Sequence, residues 1–563
     1  MSLNVPIARW LPSYRRNWLA RDLLAGATVW AVLVPSALAY AGIVGVDPII
    51  GLYTVPLALV AYAVFGSSRL LVTGPDAAIA VLAATTVASV ATGDDYLELV
   101  LALALLVGAI HLVMFVLRMG WIADLVPEPV LKGFIQGLVW VTILDQMPKL
   151  FGVSLVDPHD GFWRRAIDIV QALDGIQTET AVLGAASLVA LFVLRRLAPL
   201  AAGPLIIVAL TIVIVAIAEL GSDGVALVGE PTGAAFELGL PSGITAQQIA
   251  DLLPGALAIT VLGFTQSIGA AKSAAQATGE QIDPNQELLA LGAGNLAAGI
   301  SGGYPVTGTL SKTSVAIASS GKTQVGNLFA AVLGVVTILL LRPLFEWLAL
   351  TALAAVVVFA MSGMADLAYF RTLWQISRRE FVIGLMAFLG VLTFGVLPGV
   401  VVGVVMSLIL LVEHIGNPPT AILGRTPSGS WLDVERFADA RQIDGLVVWR
   451  QEAPLVFINA RRLSDRLREL AVEGIEVVVV DASFTSGVDS TGFSEFTNAA
   501  DELRSHGVEL WVVHPLAHTW EQAQLRAAKL GRRLPPVFDS VDDVARAFER
   551  RSSHIPPPAE PGD

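Results

Sequence analysis

From Leu23 to Val412 the chain is a succession of apolar blocks of roughly 17 to 25 residues, the length a helix needs to cross a hydrocarbon core of ~30 Å. Inside a bilayer no water is available to bond backbone N–H and C=O groups, so a run of this kind admits helices and little else. The blocks number about 14. The first five begin near Leu23, Pro48, Pro75, Leu97 and Pro129, and the next two near Thr180 and Ala202. Beyond Leu252 they begin near Pro254, Leu288, Val306, Thr323, Leu348, Phe381 and Gly399. After Glu413 the texture becomes that of water-soluble sequence. Charged residues make up 15% of the chain, against about 25% in soluble domains, which fits a large membrane domain followed by a smaller soluble one. The expected boundaries are an N-terminal segment 1–22, a transmembrane domain 23–415, a linker 416–440, an α/β domain 441–552 and a Pro-rich, disordered tail 553–563.

Two blocks differ from the rest. Those starting at Pro75 and Val306 are short, follow Gly/Pro lead-ins, and are less apolar than their neighbours. They stand third and tenth, the same place in each half of a seven-plus-seven repeat. Short, interrupted segments in corresponding positions point to a transporter binding site, with half-helix N-termini meeting at mid-membrane. Free N–H groups there favour an anion. In GGYPVTGTLSKTSV the break at Gly302, Gly303 and Pro305 is followed by Thr307, Thr309, Ser311 and Lys312. A lysine inside a membrane is costly and should face a wet cavity and a partner; the alternative is a lysine snorkelling to the interface.

Arg9, Arg15, Arg16 and Arg21 precede the first block. Arg69, Arg118, Arg195, Arg196, Arg371, Arg378 and Arg379 follow even-numbered blocks or precede odd-numbered ones. The positive-inside rule then places both termini in the cytoplasm of a multi-pass inner-membrane protein. Arg164 and Arg165 break the rule, in a loop that also holds Asp157, Asp160 and Asp168. The segment MSLNVPIARWLPSYRRNWLARD reads as an amphipathic juxtamembrane helix rather than a cleavable signal. With no cysteine and seven scattered histidines, no metal or cofactor is expected, and a net charge of -13 argues against nucleic acid as a partner. AIASSGKT (Ala316–Thr323) loosely matches a phosphate-binding loop but lacks the preceding strand, and reads as a helix end at Gly321 followed by Lys322. Gly395, Gly399 and Gly403 around Pro398 suit a tight helix hairpin.

In the soluble part LVVW (Leu446–Trp449), PLVFINA (Pro454–Ala460), IEVVVVDA (Ile475–Ala482) and VELWVVHP read as strands. They alternate with helices over RRLSDRLRELAVEG and SEFTNAADELRSHG, an α/β pattern. Asp489-Ser490-Thr491-Gly492 opens a helix, so Ser490 is either part of a plain cap or a phosphorylation or partner site.

The stretches LAGATVWAVLVPSALAYAGIVGVDPIIGLY, TGPDAAIAV, IDPNQELLALGAGNLAAGISGGYPVTGTLSKTSVA and VDASFTSGVDSTGF together resemble the sulfate permease (SulP) family over nearly the whole length. The last stretch resembles a STAS domain. The resemblance implies two inverted seven-segment repeats forming core and gate domains, usually in a homodimer, with the cytoplasmic STAS domain available to a protein partner. It implies transport of a small inorganic or carboxylate anion held between segments three and ten, and no enzyme activity. Carried over residue by residue, the site falls on Ser36 and Tyr40; on Asp76, Ala77 and Ala78; and on Thr309, Leu310, Ser311 and Lys312. Two departures stand out. Many members carry a carboxylate where this chain has Gln266, and an arginine where it has Lys312. The first puts cation or proton coupling at segment eight in doubt and makes Asp76 the replacement candidate; the second keeps the charge but loses the bidentate fork. A nucleobase-type transporter of the same architecture, and a membrane-tethered signalling protein acting through the tail, are the competing readings.

Overall fold

The computed structural model describes residues 5–91, 95–124, 127–153, 161–197, 203–222, 224–228 and 238–552, and divides into two compact units, Met1–Ser407 and Leu408–Asp563. In the first unit the chain begins with α1 (Ile7–Trp10), only four residues long. Pro12 stops it as a helix: a 3-10 turn follows at Leu11–Ser13 and another at Arg16–Trp18, so the single juxtamembrane helix expected from the sequence is absent. Then come α2 (Leu19–Val44), α3 (Pro48–Tyr53), α4 (Val55–Phe65), strand β1 (Thr73–Gly74), α5 (Ala77–Ala88), α6 (Tyr96–Val116) and α7 (Glu128–Phe151). The repeat's first half closes with α8 (Phe162–Gln171), α9 (Thr178–Leu197) and α10 (Gly203–Ala218). The second half holds α11 (Ala246–Thr278), α12 (Pro284–Ile300), strand β2 (Thr307–Gly308), α13 (Leu310–Ala318), α14 (Val325–Leu340), α15 (Leu350–Met364), α16 (Leu367–Ile376) and α17 (Arg378–Phe394). The last apolar helix is α18 (Val396–Gly416).

Every apolar block of the sequence overlies one of these helices. Among the described residues six stretches are long and apolar enough to cross a membrane unaided, from Arg16–Val44 to Leu350–Ile376. The two odd blocks are not among them: α5 has 12 residues and α13 has nine, which at 1.5 Å per residue reach only about halfway. Helices α8 and α16 were not foreseen, because neither is apolar enough to register as a block.

The packing carries the repeat. Counting apolar blocks in chain order, each main contact recurs when seven is added to both partners. Block four on nine (α6 on α12) is matched by eleven on two (α14 on α4), and five on thirteen (α7 on α17) by twelve on six (α15 on α9). One on three (α2 on α5) is matched by eight on ten (α11 on α13), and one on ten by eight on three. Two bodies result: α2, α4–α6 and α11–α14 around β1 and β2, and α7, α9, α15 and α17 beside them. Backbones touch where glycine permits it. A Cβ on Gly26 would lie 2.3 Å from the Gly326 carbonyl oxygen, and one on Gly133 would lie 2.1 Å from that of Gly384. Gly399 is likewise pressed against Val391 in the α17–α18 hairpin.

The second unit is a six-stranded sheet, order β4-β3-β5-β6-β7-β8, with β3 (Thr420–Arg425), β4 (Trp431–Asp433), β5 (Leu446–Gln451), β6 (Val477–Asp481), β7 (Glu509–Val513) and β8 (Val537–Phe538). β5 to β8 are parallel and β3 and β4 antiparallel. Helices α19 (Ala460–Leu470), α20 (Ser490–Ser505), α21 (Ala517–Leu530) and α22 (Val541–Ser552) complete it. Two expectations change here. β3 and β4 lie inside the span read as a linker. The strand expected at Pro454–Ala460 reduces to one bridge, Leu455 to Val488. Pro454 has no N–H to donate, and Asn459 curls the segment by accepting from Val456 N at 3.0 Å and donating to the Pro454 carbonyl at 2.9 Å.

The loop after α13 corrects a detail. The left-handed residue is Ser320 (φ 60), not Gly321, and the following N–H groups of Lys322 and Thr323 donate to the buried Asp22 carboxylate at 2.6 and 3.1 Å. A side chain of the protein itself thus fills the place a phosphate would take in a phosphate-binding loop.

Candidate functional site

β1 and β2 have only two residues each, yet they build the candidate site. Thr73 faces Gly308 and Gly74 faces Thr307 in an antiparallel pair. Just outside the ladder Thr309 N donates to the Val72 carbonyl at 3.0 Å, and Val72 N donates to Thr313 Oγ1 at 3.0 Å. Each strand runs directly into a half-helix, so the N-termini of α5 and α13 are fixed toward one another. Thr307 and Ser267 lock the ladder to α11: their hydroxyls are 2.8 Å apart, Thr307 Oγ1 donates to the Gly263 carbonyl at 2.7 Å, and Gly308 N donates to Ser267 Oγ at 2.8 Å. From the other side Asn295 donates to the Val306 carbonyl at 3.0 Å and accepts from Val306 N at 2.9 Å.

Lys312 is only 2% exposed. Its ammonium donates to the Pro75 carbonyl at 2.6 Å and lies 5.5 Å from the centre of the Tyr40 ring. The snorkelling alternative is therefore wrong: the side chain crosses from α13 to the lead-in of α5, under an aromatic face that favours a cation. An ammonium has three donors, and one is spent on Pro75. Asp76 is the N-cap of α5 and accepts from Ala78 N at 3.0 Å. The direct Asp76–Lys312 ion pair is not formed; the lysine bonds the backbone one residue earlier. Ala77 and Ala78 are buried in the first turn of α5.

The other expected residues fall around this centre unequally. Ser36 is buried in α2 and donates to its own helix at the Val32 carbonyl. Thr309 is the N-cap residue of α13, yet its side chain caps no N–H. Leu310 is 54% exposed and Ser311 is exposed, so the opening turn of α13 leaves these two accessible while Lys312 and Thr313 are buried. Gln266 is half-buried on α11, next to the Ser267 that holds β2. Ser267, Asn295 and the Pro75 carbonyl escaped the sequence reading. Two are ordinary polar residues on apolar helices and the third is a backbone atom; only the neighbourhood of Gln266 signalled one of them. The buried Glu287 was also missed. It is fully engaged within the scaffold, accepting from Tyr62 Oη at 2.8 Å and from Ser67 N and Oγ at 2.8 and 2.7 Å.

In the second unit Asp489, not Ser490, caps α20, accepting from Gly492 N at 2.7 Å and from Phe457 N at 2.7 Å. Ser490 is exposed at the first turn. Among the described residues no group of three or more His, Cys, Asp or Glu is placed to hold a metal ion.

Paired half-helices joined by a short antiparallel ladder, inside a seven-on-seven helical repeat with an α/β tail, define a class of polytopic membrane protein. The sulfate permease family model matches residues 19–387, and the STAS domain model matches residues 437–544. A probable sulfate transporter of Mycobacterium tuberculosis is 33% identical over 97% of this chain and 99% of its own length. The chain belongs to the sulfate permease family. Its fold is that of the murine solute carrier 26 family member A9 anion transporter in the inward-facing state (TM-score 0.89, 20% identity, 97% of this chain and 94% of that one). The transmembrane domain of a cyanobacterial bicarbonate transporter, BicA, is similar over 70% of this chain and 98% of its own (TM-score 0.62, 20% identity).

Proposed function

We propose that the membrane unit is a secondary-active transporter of small anions of the sulfate, bicarbonate or dicarboxylate class, and that the anion sits between the N-termini of α5 and α13. The observation that carries this reading is the buried Lys312 ammonium, held by the Pro75 carbonyl at the meeting point of two half-helices. A positive end charge on each half-helix adds to that of the lysine, and a low-dielectric setting strengthens both. Tyr40, Ala77, Ala78, Ser311 and the uncapped N–H groups of α13 supply the remaining contacts. The names of the mycobacterial and cyanobacterial relatives favour sulfate or bicarbonate. In this reading Asp76 takes over the coupling role that Gln266 cannot fill: its protonation lowers the repulsion felt by an arriving anion, giving proton–anion symport. The nucleobase alternative has less support, because the buried Lys312 ammonium at a half-helix N-terminus adds positive charge that favours an anion over a neutral heterocycle.

In the same reading the protein lies in the cell membrane as a homodimer with both termini cytoplasmic, and the STAS unit, with Ser490 exposed, regulates or recruits a partner rather than transporting. Uptake of labelled sulfate, bicarbonate and fumarate by purified protein in liposomes, with and without a pH gradient, tests the whole reading. Saturable uptake of at least one of them is expected, rising as the outer pH falls. Uptake of none of the anions would overturn it. Deletion after Asn417 separates the signalling alternative, since the truncated protein should still transport.

A further inference from the structure

Arg165, half of the exception to the basic-loop pattern, lies against a second polar cavity. It holds about 410 Å³ and is lined by Gly42 and Ile43 of α2, by Thr142, Asp145, Gln146, Pro148 and Lys149 of α7, and by Arg165 of α8. Two of its side chains are cations and one is a carboxylate, a net single positive charge. Lys149 Nζ donates to the Gly42 carbonyl at 3.2 Å, and the Arg165 guanidinium pairs with Asp145. Thr142 is completely buried, and its hydroxyl has no hydrogen-bond partner, not even the carbonyl one turn back that a helical threonine usually takes. A buried hydroxyl is rarely left unpaired in a native structure without a reason such as a water or ion.

We propose that this cavity is a second small-anion site, separate from the half-helix site. Lys149 and Arg165 are its charged ligands, and Thr142 and Gln146 its neutral donors. Asp145 serves as a resident counter-ion that an arriving anion replaces at Arg165. The proposal rests on the anion-transport reading, and its test must be able to fail separately.

The test is equilibrium binding of sulfate, bicarbonate and fumarate to full-length purified protein carrying Lys312→Ala, which weakens the half-helix site. Residual binding of at least one anion is expected. Lys149→Gln or Arg165→Gln in that background should weaken it about tenfold each, the loss of one charge-assisted contact. Lys149→Arg should preserve it, and Asp145→Asn should tighten it. The last result has a sign that misfolding cannot mimic. Binding to the otherwise unaltered protein that Lys312→Ala abolishes entirely, or residual binding indifferent to Lys149, Arg165 and Asp145, would overturn this inference and leave the half-helix site standing. Absence of binding to the unaltered protein would overturn both.

Discussion

The two half-helices occupy equivalent places in the repeat but end differently. α5 begins with an acid that caps it: Asp76 accepts from Ala78 N, so part of the positive end is neutralised by the chain itself. α13 begins with Thr309, which caps nothing, and adds a buried lysine in its first turn. The repeat supplies two anion-attracting ends, and side chains then silence one and amplify the other. In the proposed reading an anion between them would therefore be bound mostly by α13, with α5 acting as a wall whose charge can be adjusted.

Removing the amplifier should have the largest effect. Lys312→Ala deletes a charge-assisted contact of roughly 1.5–3 kcal/mol, so the apparent KM for anion uptake into liposomes should rise at least about tenfold. An unchanged KM in folded protein would make the two ends equivalent after all. Converting the second end into a copy of the first should come next. Thr309→Asp brings a capping carboxylate beside Lys312 and should suppress uptake severely, whereas Thr309→Asn caps without charge and should cost much less. Equal effects of the two would mean that the vacant N–H groups, not the charge, are what matters. The reverse change is milder. Asp76→Asn keeps the cap but not the charge, so it should lower KM by a few-fold and flatten the dependence of uptake on pH. A wild-type pH profile in that variant would leave Asp76 as a cap alone.

The smallest effect lies outside the membrane and offers a contrast, a buried carboxylate without transport duty. Burial pushes the Asp481 carboxyl up, but bonds from Ser483 and Arg450 outweigh it and leave the pKa below the usual value. A lowered carboxylate stabilises the fold above its unfolded pKa of about 3.9 and loses that contribution as pH falls through the lower folded value. Hydrogen-exchange protection of the Val477–Asp481 amides should therefore hold down to about pH 4 and decline below it. In Asp481→Asn that protection should be weaker at neutral pH and should lose this acid step.

How much of this was legible depended on which part of a residue does the work. Apolar block length marked the helices, and the breaks at Gly74-Pro75 and Gly302–Pro305 marked the two short ones, because hydropathy and backbone restriction are local properties. Lys312 could be singled out as a buried cation, but its acceptor could not, since the Pro75 carbonyl carries no side-chain signature. Asp76 could be named as a site and coupling candidate, but that its carboxylate caps α5 rather than meeting Lys312 is set by the three-dimensional register. Ser267 looks like any serine on an apolar helix until β2 is laid against it. The strands β3 and β4 were lost for a plainer reason: they are short and mostly half-exposed, so neither an alternating nor a continuous apolar pattern announces them.

The ladder between β1 and β2 has one further implication. With Thr309 N on Val72, Val72 N on Thr313 and Lys312 on Pro75, the half-helices are stitched together around Lys312, the residue on which the proposed anion site rests. They cannot part to let a cargo through without breaking several of these bonds at once. In the proposed transport the floor and ceiling of the compartment would therefore travel as one carriage, and the opening and shutting would fall to the shaft around it.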